Sequence, residues 1–368
     1  MYTKKTFPIT GLLMWTRRSI YVFIILSTIP VILFDVLKWH WLHLPWLPIG
    51  VLGTAVAFIV GFKNNASYDR LWEARKIWGG IINASRSFTI MLNDYITNEH
   101  ASPSLEESAL HNVRKEMVMR HIAWMTSLRH ALRTQKPWEA SHENHSDQEY
   151  MKGFEIQEWK YSLEQALEGY VSDEDKLNIL SKTNKQTACI TLQSKQLKEL
   201  KMKGLIEDFR HMEMQNMLVE FLSLQGKAER IKNFPYPRQF ATLNYVFVAI
   251  FAILLPFGMM HEFHKIGLEI VQEIVQSKPY PEGSYQYIIE YIGRYFVWFT
   301  IPFSVIITWV FHTMERIGEV TENPFEGNPN DVPITTMARA IEIDIRQMID
   351  DDPKDIPQPI EEIADIQF

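Results

Sequence analysis

The sequence predicts an all-α membrane protein with four transmembrane helices per subunit and a large helical cytosolic region. Three observations carry that prediction. Four charge-poor apolar runs sit in two blocks near the ends of the 368-residue chain. Lysine and arginine are distributed unevenly around them. In the polar block between, apolar residues recur every three or four positions, the period of a helix with one buried face.

A helix crossing hydrocarbon needs about 20 mostly apolar residues. The first run, residues 19–39, is interrupted by Pro30 and carries Asp35 near its far end. The second covers residues 46–62. The third, residues 239–260 (QFATLNYVFVAIFAILLPFGMM), holds no charged residue. The fourth, residues 287–311, has Glu290 and Arg294 near its start. Trp, Tyr and Phe at the ends of these runs fit a membrane interface. Asp35, Glu290 and Arg294 stand close enough to that interface to be solvated or paired, which favours structural roles.

Orientation follows from the basic residues. Lys4, Lys5, Arg17 and Arg18 precede span one; Lys63, Arg70, Arg75 and Lys76 follow span two; Lys227, Arg230, Lys232 and Arg238 precede span three. The loop between spans one and two holds only Lys38, and the loop at about residues 261–286 balances Lys265 and Lys278 against four glutamates. The positive-inside rule then puts both termini and the middle block in the cytoplasm, and the expected location is a bacterial inner membrane. The division predicted is a cytosolic segment 1–18, spans one and two in 19–62, a cytosolic helical region 63–236, spans three and four in 237–312, and a cytosolic tail 313–368. The polar stretch 136–149 reads as a surface loop, and the acidic, proline-containing end 351–368 as extended or disordered until bound.

Composition excludes several function classes. A net charge of −7 argues against a nucleic-acid surface, which needs a basic field. Cys189 is the only cysteine, so neither an internal disulfide nor a thiolate metal site is expected. The first apolar run lacks a small-residue cleavage site, so no cleaved signal peptide is expected. No nucleophile with an evident base and no glycine-rich phosphate loop occurs in the middle block, which leaves enzyme activity and cofactors without support. His142 and His145 with Glu143 and Asp147 have the look of a metal site, but they fall in the loop-like stretch, where ligands are not held rigidly.

The second span is the candidate functional element. Its apolar half, VLGTAVAFIVGF, runs into FKNNASYDRLWEARK with no helix-stopping signal between. Residues four apart share a face, so Thr54, Phe58 and Phe62 form one stripe about 12 Å long. Gly53, Ala57 and Gly61 form the stripe beside it, a pattern that lets helices pack closely in membranes. Several copies around an axis would turn the two phenylalanines into a narrow apolar neck of the kind that gates by shedding water. The alternative is that both face lipid or core. Further on, Asp69 and Glu73 make an acidic stripe, with Lys76 one turn from Trp72 and Glu73; pairing between subunits and a charged vestibule are both compatible with the spacing.

The stretch FKNNASYDRLWEARKIWGGIINASRSF, residues 62–88, closely resembles the characteristic segment of the bestrophins, above all their bacterial members. ENPFEGNPNDVPI, WTRRSI and QGKAERIKNFPYP match further family segments in the right order. The motif residues are Asn64, Asn65, Tyr68, Asp69, Arg70, Trp72, Glu73, Arg75 and Trp78, with Asn323, Pro324 and Phe325. Leu71 departs, standing where the family usually has the first of two tryptophans. The resemblance implies a homopentameric ion channel passing small monovalent ions, with self, membrane lipid and ions as its partners. It implies a neck at Thr54, Phe58 and Phe62, where Thr54 is smaller than usual, and a cytosolic aperture at Ile206. It does not carry over the calcium clasp of animal members, because the turn after Asn-Pro-Phe offers only well-separated acids, thin for an ion that wants six to eight oxygens. The contrasting reading is a membrane-anchored helical sensor or scaffold that conducts nothing.

Overall fold

The computed structural model describes residues 1–139, 145–276 and 281–368. Among the described residues the elements are helical, save two isolated β-bridges. In chain order they are α1 (Ile9–Asp35), α2 (Trp46–Tyr95), α3 (Glu107–Arg133), α4 (His145–Met151), α5 (Gln157–Lys160), α6 (Leu163–Ala166), α7 (Asp173–Ser181), α8 (Lys185–Met202), α9 (Asp208–Asn233), α10 (Arg238–Val275), α11 (Tyr285–Arg294), α12 (Thr300–Val320) and α13 (Ile334–Met348). Short 3₁₀ turns lie at His40–Leu42 and Phe296–Phe299. The chain divides into two compact units.

The first unit comprises Phe7–Tyr68 and Tyr236–Glu322. Four helices are long and apolar enough to cross a membrane: Ile9–Asp35, His40–Tyr95, Arg238–Val275 and Phe296–Val320. Pro30 and Pro256 lie inside α1 and α10, and both helices continue through them. Two boundaries differ from the sequence reading. The third helix runs on to Val275, so the first half of the loop placed at 261–286 is helical. The fourth apolar run is not one helix from 287. It breaks after Arg294 into α11, a 3₁₀ turn and α12, so Glu290 and Arg294 lie outside the candidate span. They pair with each other at 2.5 Å, with Glu290 buried. Asp35 accepts from Trp298 Nε1 at 2.7 Å and Lys38 Nζ at 3.2 Å. These three ionisable residues make structural contacts.

The second unit comprises Met1–Thr6, Asp69–Pro235 and Asn323–Phe368. Its core runs from Trp78, Ile81, Phe88 and Leu92 of α2 through α3, α8, α9 and α13. His121 sits in it beside Phe88, Trp124 and Phe221, bonded to Ser85 Oγ at 2.8 Å. Burial drives its pKa down to about 3, so the ring is neutral. Gly204, at φ +73°, closes the turn between α8 and α9. A Cβ there would stand 2.4 Å from the His100 carbonyl oxygen, so only glycine fits.

Of the two readings for residues 351–368, extended or disordered until bound, the structure shows an extended, docked stretch. Residues 334–348 form α13, and the extended stretch beyond it docks through Ile366 and Phe368 against Ile156 and Phe154. Tyr2 pairs with Ile366, and Thr336 donates its N–H and its hydroxyl to the Phe368 carbonyl. Isoleucines spaced among the acids supply an apolar face that a net-charge reading overlooks. Of the histidine-rich stretch, His142 and Glu143 lie outside the described residues. His145 and Asp147 open α4, so the loop predicted at 136–149 gives way to helix at its end.

Candidate functional site

Helix α2 is built on two opposed faces. Pro48 falls in its first turn, where a missing N–H leaves no hydrogen bond unmade. Ile49, Gly53, Val56, Val60, Lys63 and Ser67 are buried, in alternating steps of four and three. Ile49, Val56 and Val60 pack on Val248, Phe251, Leu255 and Met259 of α10. Gly53 permits the closest approach, since a Cβ there would lie 2.8 Å from the Phe251 ring. About half a turn away, at 3.6 residues per turn, the Thr54–Phe58–Phe62 stripe faces outward. Phe58 is 64% and Phe62 69% exposed. Thr54 is exposed too, its hydroxyl donating to the Gly50 carbonyl at 3.0 Å.

The small-residue stripe divides. Gly53 packs inside the subunit, while Ala57 and Gly61 are exposed, and among the described residues a Cβ on Gly61 would meet no neighbouring element within 4 Å. Gly50, Gly53 and Ala57 instead help form an open groove of about 550 Å³ between Thr54 and Phe58 on one side and Phe251 and Phe311 on the other.

Below Val60 the buried seam turns polar. Lys63, 1% exposed, binds Glu315 Oε1 of α12 at 2.8 Å. Ser67 Oγ donates to the Gly318 carbonyl at 2.8 Å. Asn64 Oδ1 lies 2.2 Å from where a Cβ on Gly318 would stand. The sequence reading counted Lys63 only as a basic residue beyond the membrane. Two signals point to its real place: it continues the Val56–Val60 seam, and Glu315 is the first acidic residue met along α12.

The remaining motif residues divide between packing and exposure. The Arg70 guanidinium donates to the carbonyls of Phe234 (2.9 Å) and Ile231 (3.1 Å), neutralising the C-terminal end of α9. Trp78 is fully buried. Glu73 pairs with Lys76 at 2.8 Å. Asn65, Tyr68, Asp69, Trp72 and Arg75 are exposed. Ile206 is 3% exposed, buried in the core of the second unit, so its side chain faces no opening and the aperture assignment is corrected. The turn that buries Ile206 exposes Phe209 to 83%.

Phe325 is buried, and the turn around it is filled by protein donors. Glu326 accepts from Asn323 Nδ2 (2.8 Å) and Asn328 Nδ2 (2.7 Å). Asp331 accepts from the N–H groups of Gly327 (2.6 Å) and Asn328 (3.1 Å) and faces Arg133 at 3.3 Å. Burial still pushes the Asp331 pKa up to about 6. Elsewhere Glu99, His100 and Glu207 bring three metal-type ligand atoms within 4.8 Å of one another. Glu207 is already bound by His100 (2.8 Å) and Arg210 (3.1 Å), which makes this an ion-pair cluster.

A family model described as Bacterial/Fungal Bestrophin protein matches residues 12–275 and 292–347. The chain is a bestrophin. Among curated proteins, this bestrophin is 27% identical over 311 residues to the voltage-dependent anion channel-forming protein YneE of Salmonella typhi, covering 84% of this chain and 78% of that one. It is 26% identical over 314 residues to the voltage-dependent anion channel-forming protein RSc3414 of Ralstonia nicotianae, covering 84% and 80%. Among solved structures it resembles a bacterial bestrophin homolog from Klebsiella pneumoniae, with TM-score 0.67 and 23% identity over 91% of this chain and 98% of that one. That likeness concerns the fold. Membership in this family of channel-forming membrane proteins also means that the chain is not an enzyme.

Proposed function

We propose that this bestrophin is a passive ion channel in which five copies of α2 surround one axis and present Thr54, Phe58 and Phe62 to it. The observation that carries this reading is the exposure of both phenylalanines on the face opposite the packed seam. Lipid contact alone would explain apolar exposure. It leaves unexplained the threonine at the start of the same face and the continuation of that face, beyond the span, into exposed Asn65 and Asp69. The groove floored by Gly50, Gly53 and Ala57 is suited to a neighbouring copy of the helix.

The neck works by excluding water: rings of Phe58 and Phe62 are narrow and apolar, while the Thr54 ring is wider and wetter. In the second unit, Phe209 is an exposed aromatic suited to a constriction of its own. Both termini and the unit built on α3–α9 lie in the cytoplasm, with the spans in the bacterial inner membrane, as the basic residues indicate. The permeant ion is an anion. The names of the relatives favour this, and so do the phenylalanine ring edges, which carry partial positive charge.

A second reading, a cation path, draws on Asp69, an exposed carboxylate on the same face as Phe62. Purified protein in liposomes under an asymmetric potassium chloride gradient tests both. A reversal potential near that of chloride supports the anion channel, and one near that of potassium supports the Asp69 reading. Bilayers that stay tight leave only the scaffold.

A further inference from the structure

On the side of the first unit away from Lys63, four histidines meet. His40 and His43 belong to the 3₁₀ turn and linker between α1 and α2. His261 and His264 lie one turn apart on α10. The His43 and His261 rings stack with centroids 4.4 Å apart and planes within 15°. The His40 and His264 rings stack at 5.8 Å and 23°. Phe34 closes on both members of the second pair edge-on, at 4.9 Å and 5.1 Å. The linker is also bonded to α10 from the Leu44 N–H to the Phe257 carbonyl (3.1 Å).

Neutral imidazoles stack favourably, and a single protonated ring is tolerated. Two imidazolium rings at these distances repel each other. The His43 Nδ1–H donates to the His40 carbonyl at 2.6 Å, which fixes the tautomer and leaves Nε2 to take the proton. Asp35 at the end of α1 and Lys38 of the linker lie beside the cluster; they bind each other, and Asp35 is also held by Trp298. Glu262 and Lys265 share α10 with it, and Glu290 and Arg294 of α11 bind each other. Asp35 is thus already engaged when protons arrive. His40 and His43 are exposed, so protons reach them from water.

We propose that the paired histidines His40–His264 and His43–His261 form a proton-binding latch, which holds the α1–α2 linker to α10 at neutral pH and releases it in acid. The latch is independent of whether the protein conducts, so its test reads the linker itself.

Cys189 is 1% exposed, so a nitroxide can be placed selectively on Leu42→Cys in full-length protein in liposomes, with chelator present throughout. Between about pH 7.5 and about pH 5 the mobile fraction of the label is expected to rise by roughly threefold. In the His43→Gln/His261→Gln background, which keeps polar side chains but cannot take up protons, the rise is expected to shrink to a small remainder from the second pair. A label equally mobile at both pH values overturns the latch. So does a full response that survives both substitutions.

Discussion

Alanine at both Phe58 and Phe62 is expected to raise ion flux through liposome-reconstituted protein on the order of tenfold, which corresponds to about 1.4 kcal/mol removed from the barrier. The two rings are 64% and 69% exposed and lie opposite the seam formed by Ile49, Val56 and Val60. Truncating them leaves the packing of α2 within its own subunit untouched. The effect therefore falls on the path and not on the fold, and melting behaviour should stay close to that of the native protein. Flux unchanged in the double variant would mean that the neck lies elsewhere.

The second large effect concerns stability. Lys63→Met is expected to cost the membrane-spanning unit about 3–5 kcal/mol, because it strands the Glu315 carboxylate in a site that water does not reach. Lys63 and Glu315 are both nearly inaccessible and meet at 2.8 Å, so solvent screening offers little relief. The double variant Lys63→Met/Glu315→Leu should recover most of the loss, since two apolar side chains replace a charge pair without leaving either charge alone. Thermal unfolding in detergent, with both single variants and the double, reads this directly. A Lys63→Met protein as stable as the native one would show that the pair does not hold α2 to α12.

Much of this was legible in the sequence. The four apolar runs, the helical middle block and the Thr54–Phe58–Phe62 stripe follow from length and periodicity, which depend on local geometry alone. Features set by long-range packing were not legible. Ile206 and Phe209 are three residues apart, and only the fold decides which is buried. It was Ile206, because Gly204 turns the chain sharply between α8 and α9. The break after Arg294 was hidden because the sequence stays apolar across it, and apolarity does not distinguish one helix from two. The docked C-terminus was masked by its charge, although Ile366 and Phe368 carry the contact. Lys63 looked like a basic residue in water, because a count of charges does not show which of them finds a buried partner.

The central claim is that Phe58 faces a water-filled path shared by several copies. With Cys189 shielded in the core, Phe58→Cys offers one reactive thiol, and a charged, membrane-impermeant thiosulfonate can be applied to proteoliposomes while flux is recorded. The account predicts covalent modification at position 58 and a fall in flux as the charged adduct fills the neck. A thiol that stays unmodified, or flux that continues unchanged once it is modified, would contradict it.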